Sequence, residues 1–471
     1  MKATRYVGES ACSDNAYLDV ISGKSDGTVI DTLRPTGNVR MRAKLDGRPV
    51  QIPLLAGVRD FLDLTISIYI LDEISPRKNA PDQWSRNFEI IFPVRNPAVF
   101  TCAAELIEST IRFLSGDEYR FVWPERSSIP GLGKHRVTIP KDFDCVCLFS
   151  GGIDSLVGAL HLLNMGKRIL LVGHQADGVA AAAQKVLFGK LSKMFPGRCS
   201  LLQVRVARAT SSEIKFDLPP KREETHRVRS LLFLGIAAAA ASVAKCPEIY
   251  IPENGLIALN APLEVSRLGA LSTRTAHPKF LTGVQHIFQA LDIYAGHLKN
   301  PFVFLSKTDM LSNLNMDAKI KGMLLRSVSC ARPSRYQNLK VRHCGYCVPC
   351  IYRRVAMMAA GLDRRRDYAF DVFRDLTLLT PKQQVDFRAL FRFAKKLTSS
   401  NSLGLERIVL SHGFFRPTEA GQLANQLIND YRPWADMLVR WGSDYLQKVQ
   451  KRSSPDTKRI LGLPVKRQAH A

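Results

Sequence analysis

Cys145-Val146-Cys147-Leu148-Phe149-Ser150-Gly151-Gly152-Ile153-Asp154-Ser155-Leu156 is the stretch on which the fold turns. The apolar run 146–149 reads as a buried strand, broken at Ser150-Gly151-Gly152. An amphipathic helix follows from about Asp154 to Met165 and is closed by Gly166. A glycine pair between a strand and a helix start lets the backbone turn sharply and aims free N–H groups at an anion. Ser150 and Ser155 add hydroxyl donors, and Asp154 is suited to hold Mg²⁺ or orient a nucleophile. The lysine of a Walker loop is missing, so this is not a P-loop of that type. The plain alternative is an ordinary strand–helix turn that uses Gly and Ser for geometry alone.

Working outward, strand and helix patterns alternate from Asp142 onward. Strands are expected at 146–149, 169–172, 200–206 and 249–251, with helices at 154–165, 178–194 and 224–244. This alternation predicts an α/β fold with a doubly wound, mostly parallel sheet. Ligands of such sheets bind beyond the C-terminal strand ends, where the winding reverses. Ser150, the His174-Gln175 pair, Arg208 and Pro252-Glu253-Asn254 all follow strands and are expected to share one crevice.

A second cluster lies downstream. Cys330, Cys344, Cys347 and Cys350 form a C-x13-C-x2-C-x2-C pattern, so four of the ten cysteines fall within 21 residues. Two overlapping C-x2-C turns bring three thiolates to one ion and the distant fourth closes a tetrahedron, which leaves no open position and marks a structural Zn²⁺ site. A [4Fe–4S] cluster also accepts four thiolates. The remaining six cysteines are scattered without a disulfide framework, as in a reducing compartment.

The Ser150–Ser155 pattern resembles the SGGxDS signature of the PP-loop ATP pyrophosphatases, which cleave ATP between the α and β phosphates. With the cysteine run it resembles the QueC family, the 7-cyano-7-deazaguanine synthases. In the segment 226–234, Arg229 matches the arginine of the family's PxRN-xx-FL segment and Ser230 stands where the family has Asn. The strand at 248–251 also matches. Pro278 and Phe280 match the family's Asp-Cys-Arg-Pro-x-Phe piece, which here reads Thr275-Ala276-His277-Pro278-Lys279-Phe280. The resemblance covers roughly 142–358, and the long form with Pro-Glu-Asn-Gly at 252–255 and Ser-Thr-Arg-Thr at 272–275 is similar to the QueC-like proteins of antiphage operons, in the Qat system and type IV CBASS.

The resemblance implies a PP-loop (adenine nucleotide alpha hydrolase-like) domain over 141–310 and a four-cysteine zinc module over 311–365. ATP and Mg²⁺ are expected at Ser150, Gly151, Gly152, Asp154 and Ser155, with His174 and Gln175 near adenine. Arg229 is expected to face the phosphates, with Asp154 and Arg229 acting in catalysis. The implied activity is an ATP-dependent C–N ligase that adenylates a 7-carboxy-7-deazaguanine-type carboxylate. Loss of the family's Asp and Arg, with the large flanking regions, fits a larger amine acceptor such as the N-terminus of a partner protein from the same operon. His277 is placed to take the amine's proton, and Glu253, Asn254, Asn260, Arg274 and His277 are the expected substrate contacts. Glu264 and Arg267 belong to the same loop-rich stretch, 255–280. The rival readings are a nitrile synthase using ammonia and a nucleotide-sensing scaffold.

The flanks carry less chemistry. Residues 1–140 read as an accessory α+β unit, with strands near 17–21, 28–30, 39–45 and 88–92 and helices near 58–73 and 98–114; His135 is its lone histidine. Residues 366–471 read as helical, with an apolar stripe at Phe387, Leu390, Phe391 and Phe393, a docking face at Tyr431, Trp434 and Trp441, and a basic tail expected to fray. The net charge of +25, from 67 Lys and Arg against 42 Asp and Glu, favours anionic partners. No aromatic–basic interleaving marks a dedicated nucleic-acid site. Met1-Lys2-Ala3-Thr4-Arg5 leads into polar and small residues and 231–244 is too short to span a bilayer, so no leader and no membrane association are expected and the location is expected to be cytoplasmic.

Overall fold

The computed structural model describes residues 4–8, 28–30, 38–50, 52–126, 139–209, 218, 223, 225–259, 274–410 and 431–465. The expected strand at 17–21, His135, Asn260, Glu264, Arg267 and the basic residues Lys466 and Arg467 lie outside them.

The first part of the chain supplies strands β1 Thr4–Gly8, β2 Thr28–Ile30, β3 Val39–Leu45 and β4 Arg48–Val50, then helix α1 Ala56–Ile74. Strand β5 Asn87–Ile91, helices α2 Pro97–Cys102 and α3 Ala104–Ser115, and strand β6 Glu118–Val122 complete it. The central part runs β7 Cys145–Leu148, α4 Ile153–Asn164, β8 Ile169–His174, α5 Gly178–Met194, β9 Cys199–Arg208, α6 Arg229–Ala244, β10 Glu248–Tyr250, α7 Gly255–Leu259, α8 Pro278–Ala290 and β11 His297–Lys299. Helices α9 Lys307–Ser312, α10 Ala318–Leu324 and α11 Val348–Ala359 follow, then α12 Pro381–Ser399, α13 Ser402–Leu410, α14 Tyr431–Arg452 and α15 Pro455–Ile460.

Among the described residues these strands form two sheets. One has four parallel strands in the order β2-β1-β5-β6; the other has seven in the order β11-β10-β7-β8-β9-β3-β4. The fold is therefore α/β, with β11 to β9 all parallel and β3 and β4 added antiparallel at one edge. The strand 39–45, read from sequence as part of the accessory unit, is built into the large sheet through seven aligned residue pairs with β9. Its alternating half-buried pattern suits an edge region, whereas β7 and β8, apolar but for His174 at the end of β8, are buried almost throughout because helices cover both faces.

The period of two along each central strand sorts residues between those faces. Cys145, Cys147, Ile169, Leu171 and Leu201 pack with α4 and α5 in one core; Val146, Leu170, Val172, Leu202 and Ile249 pack with α6 and α1 in another. Helix α1 is buried on nearly every side, including Asp60, Asp63, Asp72 and Glu73. Such carboxylates require partners. Arg126 donates to Asp60 at 2.8 Å, and Arg59 to Asp63 at 2.9 Å. Asp117, fully buried, accepts from Arg77 at 2.6 and 2.7 Å and from Arg86 Nη2 at 2.6 Å, while Arg86 also donates to Asp72 at 2.6 Å.

The C-terminal helices pack inward. Trp434 and Trp441, expected on a docking face, are 1% and 2% exposed; Trp434 meets Phe304 at 5.1 Å and Trp441 meets Tyr352 at 5.5 Å. Of the basic stretch, Lys448, Lys451, Arg452, Lys458 and Arg459 lie in helices α14 and α15, and α15 is capped by Ser454, whose N–H donates to the Phe373 carbonyl at 3.1 Å. Among the described residues no helix is long and apolar enough to cross a membrane.

Asp117→Ala leaves two buried guanidinium groups without their shared acceptor and is expected to cost about 3–5 kcal/mol of folding stability. Urea unfolding checks this; a loss below about 1 kcal/mol, as for an exposed pair, removes the network from the core account.

Candidate functional site

The site follows from the winding. From β7 through β8 to β9 the chain crosses on the α4–α5 face, then returns through α6 on the other face to β10, which lies against the far side of β7. The loops leaving β7 and β10 therefore emerge side by side, at the topological switch where ligands of such sheets sit. Those loops are 150–152 and 252–254.

The first loop is held tightly. Gly151 has φ +84°, and a Cβ there would lie 3.2–3.3 Å from the Gln184 and Ala180 backbone, so glycine suits both conformation and space. Gln184, 1% exposed, reaches the Ser150 and His174 carbonyls at 3.5 and 3.4 Å and accepts from Gln203 at 2.8 Å. Among the described residues no side chain caps α4 at Gly152, which leaves its first-turn amides after Ile153 to an anion. Ser150 and Ser155 hydroxyls lie 3.2 Å apart at the same turn.

At the junction of the two loops Asp154, 6% exposed, accepts from Asn254 Nδ2 at 2.6 Å and forms an ion pair with Lys307. Asn254 in turn accepts from the Leu256 N–H at 3.1 Å, which fixes the start of α7. Burial and then the charge of Asp154 push the Glu253 carboxyl well above the usual range, with Lys307 and Arg229 acting against the shift. A buried carboxyl paired with a lysine, beside a half-buried second carboxyl, can bind a divalent cation, take up a proton near neutral pH, and meet a polyphosphate. Lys307 escaped the sequence reading. Its signal was the capping box of Ser306 and Asp309, which starts a helix with a lysine at its first position behind the apolar run 302–305.

The other expected residues divide. His174 follows the parity of Leu170 and Val172, so it points to the α6 face; Tyr69 of α1 meets it edge-on at 5.6 Å and Phe233 at 5.5 Å. Gln175 enters the structure through its backbone N–H, donated to Val204 at 2.8 Å. Arg229 is the first residue of α6 and is exposed, its guanidinium 5.7 Å from the Phe233 ring centre. Arg274 and His277 are engaged elsewhere. Arg274 donates to the Phe113 carbonyl at 2.7 Å and lies 4.2 Å over that ring, while fully buried His277 caps α8 by accepting from the Lys279 N–H at 3.1 Å. These partners are on α3 and α8, not on the 150–155 loop, so the structure gives both residues packing roles in place of an entrance.

Cys330, Cys344, Cys347 and Cys350 converge as free thiols, their sulfur atoms all within 4.8 Å of one another. The Cys344–Cys350 separation of 3.8 Å equals that of two corners of a tetrahedron with Zn–S bonds of about 2.3 Å, so the four fit a metal ion such as zinc. Hydrogen bonds from the other three thiols hold Cys330 far below the usual thiol range. Gly345, at φ +89°, makes the turn between ligands possible: a Cβ would fall 2.0 Å from the Phe370 carbonyl oxygen. The cluster also braces the switch. The Val328 N–H donates to the Gly151 carbonyl at 2.8 Å, and Ser329, beside Cys330, accepts from the Ile153 N–H at 3.3 Å. Buried Arg353, three residues past Cys350, donates to Ser327 Oγ at 2.7 Å and to the Leu324 carbonyl at 3.0 Å.

Comparisons with protein-family models, with curated proteins and with solved structures find no match to this chain.

Two measurements follow from this geometry. Cys347→Ser opens the tetrahedron; the purified variant is expected to lack stoichiometric metal by elemental analysis and to melt well below the wild type, and chelation of the wild type is expected to do the same. Equal metal content and melting temperature would remove the site. The second concerns His174, which burial, Arg229 and His226 hold down to about 3 against an ordinary 6.5. Below pH 6.5 the unfolded chain takes up a proton that the folded protein refuses, so this contribution to stability is whole above that pH and is lost progressively as pH falls toward 3. The groups facing it are Arg229, His226, Tyr69 and Phe233. His174→Phe is expected to lose less melting temperature than the wild type between pH 7.5 and 5; parallel losses would place the acid sensitivity elsewhere.

Proposed function

We propose that this chain is a QueC-like PP-loop ligase that adenylates a deazapurine carboxylate with ATP and transfers the acyl group to an amine. The observation that carries the reading is the cluster at the switch: Asp154 with Asn254 and Lys307, Glu253 beside it, and an uncapped helix N-terminus in the same turn. A pure scaffold gains nothing from burying a carboxyl and a lysine beside a second, half-buried carboxyl, whereas phosphoryl chemistry needs such charges preorganised where a new charge develops.

In this reading the 150–155 loop holds the polyphosphate and Asp154 would hold Mg²⁺. That ion supplies charge neutralisation on the phosphates. Lys307 adds a positive charge that moves from Asp154 toward the departing pyrophosphate, and Arg229 pairs with the substrate carboxylate as its oxygen attacks the α-phosphorus. The amine then attacks the acyl carbon, AMP leaves, and Glu253 accepts the amine's proton, the role read from sequence for His277. A carboxyl raised toward neutral pH is suited to that transfer. A protein N-terminus is a favoured acceptor because an α-amino group, with pKa of about 8, is less protonated at neutral pH than a lysine. The antiphage resemblance supplies the suggestion of an operon partner.

The test is incubation with ATP, Mg²⁺ and 7-carboxy-7-deazaguanine, with and without co-expressed operon proteins. AMP and pyrophosphate are the expected products. Asp154→Asn and Lys307→Met are each expected to lower their formation at least about 100-fold while remaining folded by circular dichroism at the assay temperature, although each leaves a buried charge unpaired and so lowers the melting temperature. ADP and phosphate as products would overturn the reading. A free nitrile with no modified protein would assign the ammonia-dependent synthase reaction, and ATP binding without turnover would assign the sensor role.

A further inference from the structure

Between Asp317 and Asp363 the chain holds nine basic residues and no acidic one. Arg353 and Arg354 of this set are buried in α11; the seven from Lys319 to Arg342 are all exposed. Among the described residues no ion pair holds Arg326, Arg335, Lys340 or Arg342. Arg342 instead donates to the Arg326 carbonyl at 3.3 Å, which keeps two of these cations side by side despite their repulsion. A cationic surface that its own neighbours leave uncompensated attracts an anionic partner.

The same face carries an aromatic platform that the linear sequence does not display. Tyr336, Tyr346 and Phe370 come from three separate turns, and each is half-buried. The Phe370 ring lies 5.7 Å from Tyr336 and 6.1 Å from Tyr346, and the two tyrosine hydroxyls are 3.1 Å apart. Arg335 places its guanidinium 5.9 Å from the Tyr336 ring centre, and Leu339, 54% exposed, ends the same 3₁₀ turn. The cysteine cluster holds this platform in place. The Phe370 N–H donates to the Cys344 carbonyl at 3.2 Å and the Ala369 N–H to the His343 carbonyl at 2.9 Å. Rigid rings lined with cations thus stand at one surface.

We propose that this face of the cysteine module is a docking surface for single-stranded nucleic acid. Exposed guanidinium and ammonium groups pair with phosphates, while half-exposed rings offer planes on which unpaired bases stack. An acidic protein segment would use the cations and leave the rings idle, so the combination favours a polymer that carries both phosphates and flat bases. Its place in the fold gives the docked strand a direction. Ser329 bonds the Ile153 N–H at the start of α4, and Ser334 bonds Asp177, the cap of α5. The segment between them therefore runs along the C-terminal rim of the large sheet, and a strand bound to it passes the mouth of the 150–155 loop. This inference stands independently of the adenylation reading.

The test measures fluorescence anisotropy of labelled oligo(dT) and oligo(U), each of about 20 nucleotides, with the full chain over about 50–200 mM salt. Both strands are expected to bind, and a preference for either names the sugar that the surface favours and supports the proposal. Arg335→Gln with Lys340→Gln changes two exposed side chains and is expected to weaken binding about fivefold or more. It should also lower the slope of log affinity against log salt by about 1.4, as two lost phosphate contacts on a single strand require. Tyr336→Leu is expected to weaken both strands about fivefold or more with the salt slope and metal content unchanged, because stacking releases no counterions. Tyr336→Phe, which keeps the ring, is expected to stay within about twofold of the wild type. A duplex bound as tightly as the single strands would overturn the proposal, since paired bases cannot reach the rings. Displacement of the strands by polyglutamate of equal charge would assign the face to an acidic protein, and displacement by α,β-methylene-ATP would make it part of the nucleotide site; either overturns it. So would wild-type protein that binds neither strand, or binding that ignores these changes and is lost with Lys451→Gln and Arg452→Gln on α14.

Discussion

The loops after β7 and β10 leave the large sheet side by side because the crossover helices change faces between these two strands. That adjacency is the constraint on which the site depends. Asp154 belongs to one loop's helix and Asn254 to the other loop, separated by a hundred residues of sequence, yet an amide of one bonds a carboxylate of the other at 2.6 Å. Lys307 arrives from beyond β11 to neutralise the same carboxylate. Burial makes each of these charges expensive alone and useful together, because a low-dielectric pocket strengthens every interaction with a charged ligand.

The cysteine cluster extends this constraint outward. Its four sulfurs sit at tetrahedral spacing, and the chain entering the cluster through Val328 and Ser329 bonds Gly151 and Ile153 on its way to Cys330. Arg353 ties α11 back to the turn that precedes them. A metal ion held there would stiffen the loop without touching any ligand of the switch, a use of a closed structural site that needs no open coordination position.

The first part of the chain contributes in a different manner. Its buried carboxylates and guanidinium groups form a network centred on Asp117 that is costly to break but fixes geometry through many short, directional bonds. Through Arg77 and Glu223 that network reaches the segment before α6 and holds His226 in a strained conformation beside Tyr69. Stability in one layer is thereby converted into the shape of the crevice in another.

Several features were legible in sequence because local physics decides them. The strand–glycine–helix passage at 145–164, the period-two and apolar runs of the central strands, helix α5 and the overlapping C-x2-C turns all follow from contacts between near neighbours in the chain. Other features were settled by partners far away in sequence. Strand 39–45 alternates like any edge strand, and only pairing with β9 places it in the large sheet. Trp434 and Trp441 read as surface aromatics until α14 packs against Phe304 and Tyr352. Arg274 and His277 carry the right chemistry for a site, but Phe113 and the start of α8 claim them. Lys307, Tyr69 and His226 lie outside or at the margin of any motif, and their relation to Asp154 or His174 exists only after the sheet has wound. Residue type and spacing thus determined which chemistry the chain carries at its loop and its cysteines. Which charged and aromatic groups meet there was decided by tertiary structure, because a buried group's partner is whichever side chain the packing brings within hydrogen-bond reach, whatever its distance along the chain.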